Sequence, residues 1–325
     1  MNNTTEAPLM TNDMTAAVDV EGLIYLGCEL VIGVLSVLGN GLVLLVITRE
    51  SQLQTFTNYF IASLAMADLL VGLLGIPCAI VSKYGLPADF YGCLLTNTVI
   101  VILTQISIFG LLAVAVERFI AIKFPFIYHT HCTGPVAAAV IAFTWLSAIL
   151  VGLVPMFGWH QPVMSLTKCA FVSVIDMNYM VYFNFFGCVL LPLLVMFLLY
   201  CFIFQVVFRQ LKQINSLQVA METVTTTRRQ IFMKELRAVK WFCAVIVFFA
   251  VCWLPLHVLN TMLLVTGSTC FSCFNPAIIL SHANSALNPI FYAFVNKKFK
   301  CAFKRLVFCS KEPLVDTTMA SSQPG

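Results

Sequence analysis

The strongest constraint on this chain is the recurrence of long apolar runs. Seven segments, roughly 23–48, 57–82, 93–122, 135–156, 178–208, 240–265 and 275–295, consist mostly of apolar residues and are bounded by polar or Pro/Gly-containing stretches. Each reaches the length of about 20 residues that an α-helix needs to cross a bilayer. Of the 325 residues, 60% are hydrophobic and 10% charged. That is too little charge to cover a soluble globule of this size, and too much apolar surface for a disordered chain. The fold class that follows is an all-α membrane protein, a seven-transmembrane helix bundle. Three regions are expected: an N-terminal segment 1–22, the spanning domain 23–295, and a region 296–325 that begins with a short amphipathic cytoplasmic helix and ends in a tail.

Orientation follows from the basic residues, which favour the cytoplasmic side. Residues 1–22 contain no Lys or Arg, and the loops after the second and fourth helices contain one each, Lys83 and Lys168. The other sixteen of the eighteen fall on the opposite side, many of them around the fifth-to-sixth connection and after the seventh helix. This places the N-terminus outside and the C-terminus inside. Residues 1–22 lack a basic start, so they are read as an extracellular segment rather than a leader. Asn2 and Asn3 open overlapping Asn-x-Thr sequons on that side, the pattern accepted for N-glycosylation. In 296–308, lysines alternate at helical spacing with Phe299, Phe303, Leu306 and Val307, as in a helix lying in the membrane interface. Cys309 follows, either as a palmitoylation site or as a free thiol in a tail. The net charge of +4 is too small to argue for nucleic acid as a partner.

Polar residues inside spanning helices carry the most information, because lipid penalises them unless they face a partner or water. Asp68 is the one charge within the second helix, and Ser107, Asn284 and Asn288 lie at similar depth in the third and seventh. A carboxylate among oxygen donors suits a small hard cation such as sodium; the alternative is a structural network with water. Glu117 and Arg118 close the third helix at its inner end. Glu235 precedes Trp253 by 18 residues, about 27 Å of helix, which brings it to the same end. Arg118 exchanging between Glu117 and Glu235 would be a two-state latch; ordinary end-of-helix charge is the other reading. Pro192, Pro255 and Pro289 interrupt the backbone ladders of the fifth, sixth and seventh helices, which predicts kinks.

Toward the outer side, Trp253, Leu256, His257 and Asn260 share a face at i, i+3, i+4 and i+7, and Ile278, Ser281 and His282 share another. Glu29 is at comparable depth and could pair with His282. Together with Thr104, Gln105 and an overlying Phe171, these groups suit a flat, polar, uncharged ligand.

The chain resembles the rhodopsin-like (class A) G-protein-coupled receptors along nearly its whole length. The resemblance is carried by Leu38-Gly39-Asn40, Leu64-Ala65-Met66-Ala67-Asp68, Glu117-Arg118-Phe119, Trp145, Pro192 with Tyr200, Cys252-Trp253-Leu254-Pro255, and Asn288-Pro289-Ile290-Phe291-Tyr292. Within that class it is similar to the adenosine receptors in Met177-Asn178-Tyr179-Met180-Val181-Tyr182-Phe183-Asn184-Phe185-Phe186, Trp253–His257 and Ser281-His282-Ala283-Asn284-Ser285. The resemblance implies that Phe171 stacks on adenine, that Asn260 makes a two-point hydrogen bond to its edge, and that Leu256, Met180 and Ile278 pack the base, with Asn184 in the same site. It implies further that Ser281 and His282 hold the ribose hydroxyls, Glu29 orienting His282. Thr104 and His257 meet the 5′ side, and Trp253 senses the ribose. A Cys93–Cys169 disulfide would hold Phe171 over the pocket, and Cys270 with Cys273 would close a small loop. Arg118, Glu117, Glu235, Tyr200 and Tyr292 would form the switch.

Departures from the family pattern are Glu117 for aspartate, Phe119 for tyrosine, and Val172 where many members carry a glutamate. The resemblance implies a plasma-membrane receptor for adenosine or a related nucleoside, coupled to a heterotrimeric G protein and through it to adenylate cyclase. The segment Arg209-Gln210-Leu211-Lys212-Gln213 is nearer the stimulatory-coupled members. No cofactor is expected beyond the sodium ion, and membrane lipid is the remaining partner. Two rivals stay open at this level: a nucleoside transporter or channel using the same pocket, and a receptor of this class for another small ligand. An enzyme is not expected, because the sequence shows no phosphate loop, zinc spacing or nucleophile–base pattern.

Overall fold

The computed structural model describes the backbone of residues 10–217 and 222–295, with 299, 301 and 303, and the side chains of 20–210, 212, 243–290 and those last three. Seven long helices dominate. They are α1 (Met10–Arg49), α2 (Phe56–Lys83), α3 (Phe90–Lys123), α4 (Gly134–Phe157), α5 (Tyr179–Leu190 continued by Leu191–Leu217), α6 (Glu222–Thr266) and α7 (Phe274–Val295). Short helices Pro125–His131 and Phe171–Val174 lie in the connections. Among the described residues there is no strand, only one isolated bridge between His160 and Ile175.

The helix ends have local causes. The Thr55 hydroxyl accepts the Asn58 N–H at the start of α2, and the Asp89 carboxylate accepts the Gly92 N–H at 2.6 Å at the start of α3. Both satisfy donors that a first turn leaves open. Gly158 and Gly267, at φ 116° and 67°, end α4 and α6 in the left-handed region that a side chain disfavours.

Six helices are long and apolar enough to cross a membrane among the described residues: α1 to α6 over Val20–Arg49, Phe56–Lys83, Phe90–Lys123, Gly134–Phe157, Tyr179–Gln210 and Cys243–Thr266. The helix α7 is comparable in length but more polar, because it carries Ser281, His282, Asn284, Ser285 and Asn288, all buried. The seven pack as a ring. α1 touches α2 and α7, α6 touches α5 and α7, and α3 sits centrally against α2, α4 and α5. The usual distribution is inverted. Leu23, Val34, Leu38, Phe143, Leu146, Phe197, Leu198 and Val247 are exposed, while Glu29, Ser36, Asn40 and Asp68 are fully buried. Lipid as the surrounding solvent accounts for both halves of that pattern.

Two of the prolines have a specific remedy. Proline has no N–H, so the carbonyl four residues earlier loses its helical donor. Four before Pro289 is Ser285, whose carbonyl accepts from Asn40 Nδ2 on α1 at 2.9 Å. Four before Pro192 is Cys188, whose carbonyl accepts from Gln105 Nε2 on α3 at 2.8 Å. The π-wound stretches Val71–Gly75 and Tyr179–Leu190 each end two residues before a proline, Pro77 and Pro192. Of the expected interfacial helix, only 299, 301 and 303 are described. They are helical, with Phe299 1% exposed against the main core and Phe303 beside it.

Candidate ligand pocket and buried polar core

The two ends of the bundle differ. At one, a Cys93–Cys169 disulfide with Cα atoms 5.5 Å apart ties the first turn of α3 to the segment that carries Phe171. The Cys169 N–H also donates to the Gly85 carbonyl at 2.8 Å. Phe171 is half-buried against a cluster that includes Leu263 and Leu264 of α6, while Val172 beside it is exposed. A second disulfide, Cys270–Cys273, closes the turn before α7.

Below this end the polar faces of α6 and α7 turn inward. His257 is 1% exposed and stacks on Phe185 of α5 at 4.5 Å between centroids. Neither of its ring nitrogens has a protein partner, and nor does Trp253 Nε1. Buried donors and acceptors are normally satisfied, so these atoms are the ones a polar guest would engage. Asn260 is buried on the same face. His282 Nδ1 lies 2.8 Å from Glu29 Oε2 and 3.0 Å from Oε1, both residues being buried. A carboxylate accepts only, so Nδ1 carries the proton and Nε2 is the nitrogen left for a ligand.

Thr104 and Ser281 turn their hydroxyls to their own helices, onto the Ile100 and Ile278 carbonyls at 2.9 and 2.7 Å. Thr104, Trp253, Ser281 and His282 share one cavity with Ser107, Asn284 and Ser285. The cavity opens about 10 Å³ to the centre of a water-sized body, which is room for about one water. Phe171, Met180, Asn184, Leu256, Asn260 and Ile278 do not line it. Gln105 is engaged within the protein. Its Nε2 is spent on the Cys188 carbonyl, and its Oε1 accepts from Asn184 Nδ2 at 3.3 Å. The freed backbone group before Pro192 is the physical reason.

The buried polar core lies beneath. Asp68 Oδ2 accepts from Asn288 Nδ2 at 2.7 Å and Oδ1 from Ser107 Oγ at 3.4 Å. Ser36 Oγ donates to the Asp68 carbonyl at 2.7 Å. Ser285, which periodicity alone did not single out, stands beside the carboxylate. Asn284 Oδ1 and Asn288 Oδ1 are buried without a partner. A carboxylate with two orphaned amide oxygens nearby is an acceptor-rich set of the kind that holds a small cation.

At the other end, Glu117 grips its own chain neighbour. Arg118 Nε lies 2.5 Å from Glu117 Oε2 and its terminal nitrogen 2.7 Å from Oε1. Sequence reasoning missed two further members. Thr57 Oγ1 contacts Arg118 and donates to Glu117 Oε1 at 2.8 Å, and Tyr128 Oη donates to the same oxygen at 2.7 Å. They come from α2 and the short helix Pro125–His131, and no periodicity links such residues. Burial and the Glu117 carboxylate push the Tyr128 phenol up to about 12, so it stays protonated and donating. Tyr200 is buried on α5. The side chains of Glu235 and Tyr292 lie outside the described side chains, and Asn2, Asn3 and Cys309 outside the described residues.

Residues 39–292 match the family model described as "7 transmembrane receptor (rhodopsin family)". Over 328 residues the chain is 40% identical to adenosine receptor A2b of Rattus norvegicus, covering 94% of this chain and 96% of that one. It is 42% identical to the A2b receptor of Homo sapiens over 310 residues, covering 89% and 91%. With adenosine receptor A2a of Homo sapiens the identity is 41% over 309 residues, covering 87% and 72%.

Proposed function

The chain belongs to the adenosine receptors, within the rhodopsin family of seven-transmembrane receptors, and from that premise we propose that it is a multi-pass plasma-membrane receptor for extracellular adenosine that acts on heterotrimeric G proteins to stimulate adenylate cyclase. It is a receptor and not an enzyme. The observation that carries the ligand reading is the buried Glu29–His282 pair at 2.8 Å. That pair fixes the imidazole ring, with Nε2 left over, on the wall of the cavity that Thr104, Trp253 and Ser281 share. A ribose hydroxyl, which can donate or accept, is a matching partner for that nitrogen.

In this reading the disulfide end faces outward with the N-terminus, Phe171 covers the base and Asn260 holds its edge. Leu256, Met180 and Ile278 pack it, and the unpartnered His257 nitrogens meet the 5′ side. The small cavity makes ligand entry a coupled event, because a nucleoside displaces the side chains of α3, α6 and α7 that now close on each other. Trp253, two residues before Pro255, is the side chain placed to pass that displacement to α6. To move the receptor from mostly off to mostly on, the agonist needs about 5 kcal/mol of preference for the active state. Asp68, Ser107, Asn284 and Asn288 would hold a sodium ion, which would supply positive charge to the buried carboxylate and favour the closed arrangement. The Arg118 switch, with Glu235, Tyr200 and Tyr292, and the modifications at Asn2, Asn3 and Cys309 belong to the same proposal.

The test is a radiolabelled adenosine analogue on membranes from expressing cells, with cyclic AMP as the second readout. The expected result is saturable binding and a rise in cyclic AMP, both lost in Asn260→Ala. Equal binding to membranes with and without the receptor would end the reading.

A further inference from the structure

The disulfide end carries, above the Glu29–His282 pair, a set of polar contacts that the ligand reading leaves unused. Glu21, Tyr25 and Glu29 sit at i, i+4 and i+8 on one face of α1, and Asn275 and His282 at i and i+7 on α7. Glu21 and Asn275 meet at 2.5 Å, the amide donating to the carboxylate; Glu29 and His282 meet at 2.8 Å. These are two rungs between the same two helices. Their separation is about 12 Å along α1 and about 10 Å along α7, from 1.5 Å of rise per residue. The near match means that one rung sets the register of the other.

Lys83, at the end of α2, joins the rungs. Its ammonium donates to Asn275 Oδ1 at 2.8 Å and lies 5.6 Å from the centre of the Tyr25 ring. Tyr25 is 2% exposed and stands beside the Glu29 carboxylate. The ammonium therefore uses an amide oxygen and an aromatic face, and it faces the negative potential of Glu21 and Glu29 across them. Lost contacts here would let α1 and α7 slide at the upper rung, and the lower rung would lose its fixed imidazole.

We infer that Lys83 is a positioning residue for ligand recognition: seated on Asn275 and Tyr25, it locks α1 to α7 at the register in which Glu29 presents His282 to a ribose hydroxyl. This rests on the adenosine reading and extends it to a residue that touches no ligand.

The test compares adenosine with 2′,3′-dideoxyadenosine, which lacks the hydroxyls that His282 would meet. Competition binding is read on the full-length receptor in membranes for the parent, Lys83→Met, Lys83→Arg, Asn275→Ala and His282→Ala. Lys83→Met and Asn275→Ala are expected to weaken adenosine about fivefold, the scale of one well-placed hydrogen bond, and the dideoxy compound less than twofold. Lys83→Arg keeps the charge and should recover most of the loss. An equal loss for both ligands, or none, overturns the proposal, and Asn275→Ala alone decides between these outcomes if Lys83→Met does not reach the membrane. Should His282→Ala leave the discrimination between the two ligands intact, the ribose role of His282 fails, and with it the premise.

Discussion

Asn40→Leu isolates the remedy for one proline. In the parent, Asn40 Nδ2 donates to the Ser36 carbonyl and to the Ser285 carbonyl, each at 2.9 Å. The first acceptor keeps its own i+4 backbone donor in α1, so little is lost there. The second has no backbone donor, because residue 289 is proline. Leucine therefore leaves one buried carbonyl unsatisfied, a cost of about 1–3 kcal/mol. A partial offset exists: Asn40 Oδ1 is itself buried without a partner, and leucine removes that liability. The net expectation is a destabilisation of about 1–2 kcal/mol.

The discriminating measurement is a double-mutant cycle with Pro289→Ala, which returns an N–H to the Ser285 carbonyl. In that background Asn40→Leu should cost under about 0.5 kcal/mol, giving a coupling of about 1 kcal/mol. Pro289 Cγ lies 2.9 Å from where a Cβ on Gly39 would sit, so the proline also packs closely on α1. That packing change is common to both Pro289→Ala members and cancels in the cycle. Thermal unfolding of detergent-solubilised receptor, followed by a thiol-reactive fluorophore, reads the four variants. At about 2 °C per kcal/mol for a chain of this size, the single variant should melt about 2–4 °C lower. If Asn40→Leu costs the same whether residue 289 is proline or alanine, the carbonyl is not what Asn40 serves, and the reasoning fails.

Three further outcomes follow from the geometry. Gly152→Ala places a Cβ against the Ile102 side chain, 3.0 Å from its Cα and 3.1 Å from its N, whereas Gly187→Ala meets nothing within 4 Å. The first should abolish folded receptor by ligand-binding capacity, since α3 and α4 would have to separate, and the second should change melting by less than about 1 °C. Tyr128→Phe removes a charge-assisted hydrogen bond to Glu117, and basal cyclic AMP should rise about twofold or more as the Glu117–Arg118 grip loosens; unchanged basal signal would count against the latch. That effect should be flat between pH 6 and 9. A phenol raised to about 12 keeps its proton below its ordinary value near 10 and loses it only as pH climbs through the raised one. Asp68→Asn should remove any sodium dependence of agonist binding, read as displacement curves at matched ionic strength with and without sodium; retained dependence would place the ion elsewhere.

Much of this fold was legible because lipid is an intolerant solvent. Seven apolar runs fix seven helices almost regardless of propensity, and the polar exceptions had to face inward. Glu29 with His282, and Asp68 with Ser107 and Asn288, were readable on that ground alone. Boundaries at the polar ends were harder to see: α1 is already helical at Met10 and α6 at Glu222, well outside the apolar windows, because nothing in hydropathy stops a helix once it has left the membrane. The grip on Arg118 was half visible. Its neighbour Glu117 is written beside it, but Thr57 and Tyr128 reach it from other helices, and only the packed bundle brings them there.

Gln105 shows what residue type alone leaves open. A polar side chain in a spanning helix announces that it has a partner, but not whether the partner is a ligand or the backbone. Its chemistry and depth fitted the pocket. What the linear pattern did not expose is that Pro192, two helices away, leaves an acceptor at Cys188 that lipid cannot satisfy. The same logic places Asn40 opposite Ser285. At Pro289 and Pro192 amides of neighbouring helices donate to the carbonyl four residues earlier, so a buried Asn or Gln should be tested first against the carbonyls four residues before the prolines. Polar groups that remain once those carbonyls are served, here the His257 ring, Trp253 Nε1 and His282, are the stronger candidates for recognition. By that sorting Gln105→Leu should lower stability more than it lowers adenosine affinity, and His282→Ala the reverse. Melting and binding measured on the same preparations would separate the two, and a Gln105→Leu receptor with normal melting but lost binding would overturn the sorting.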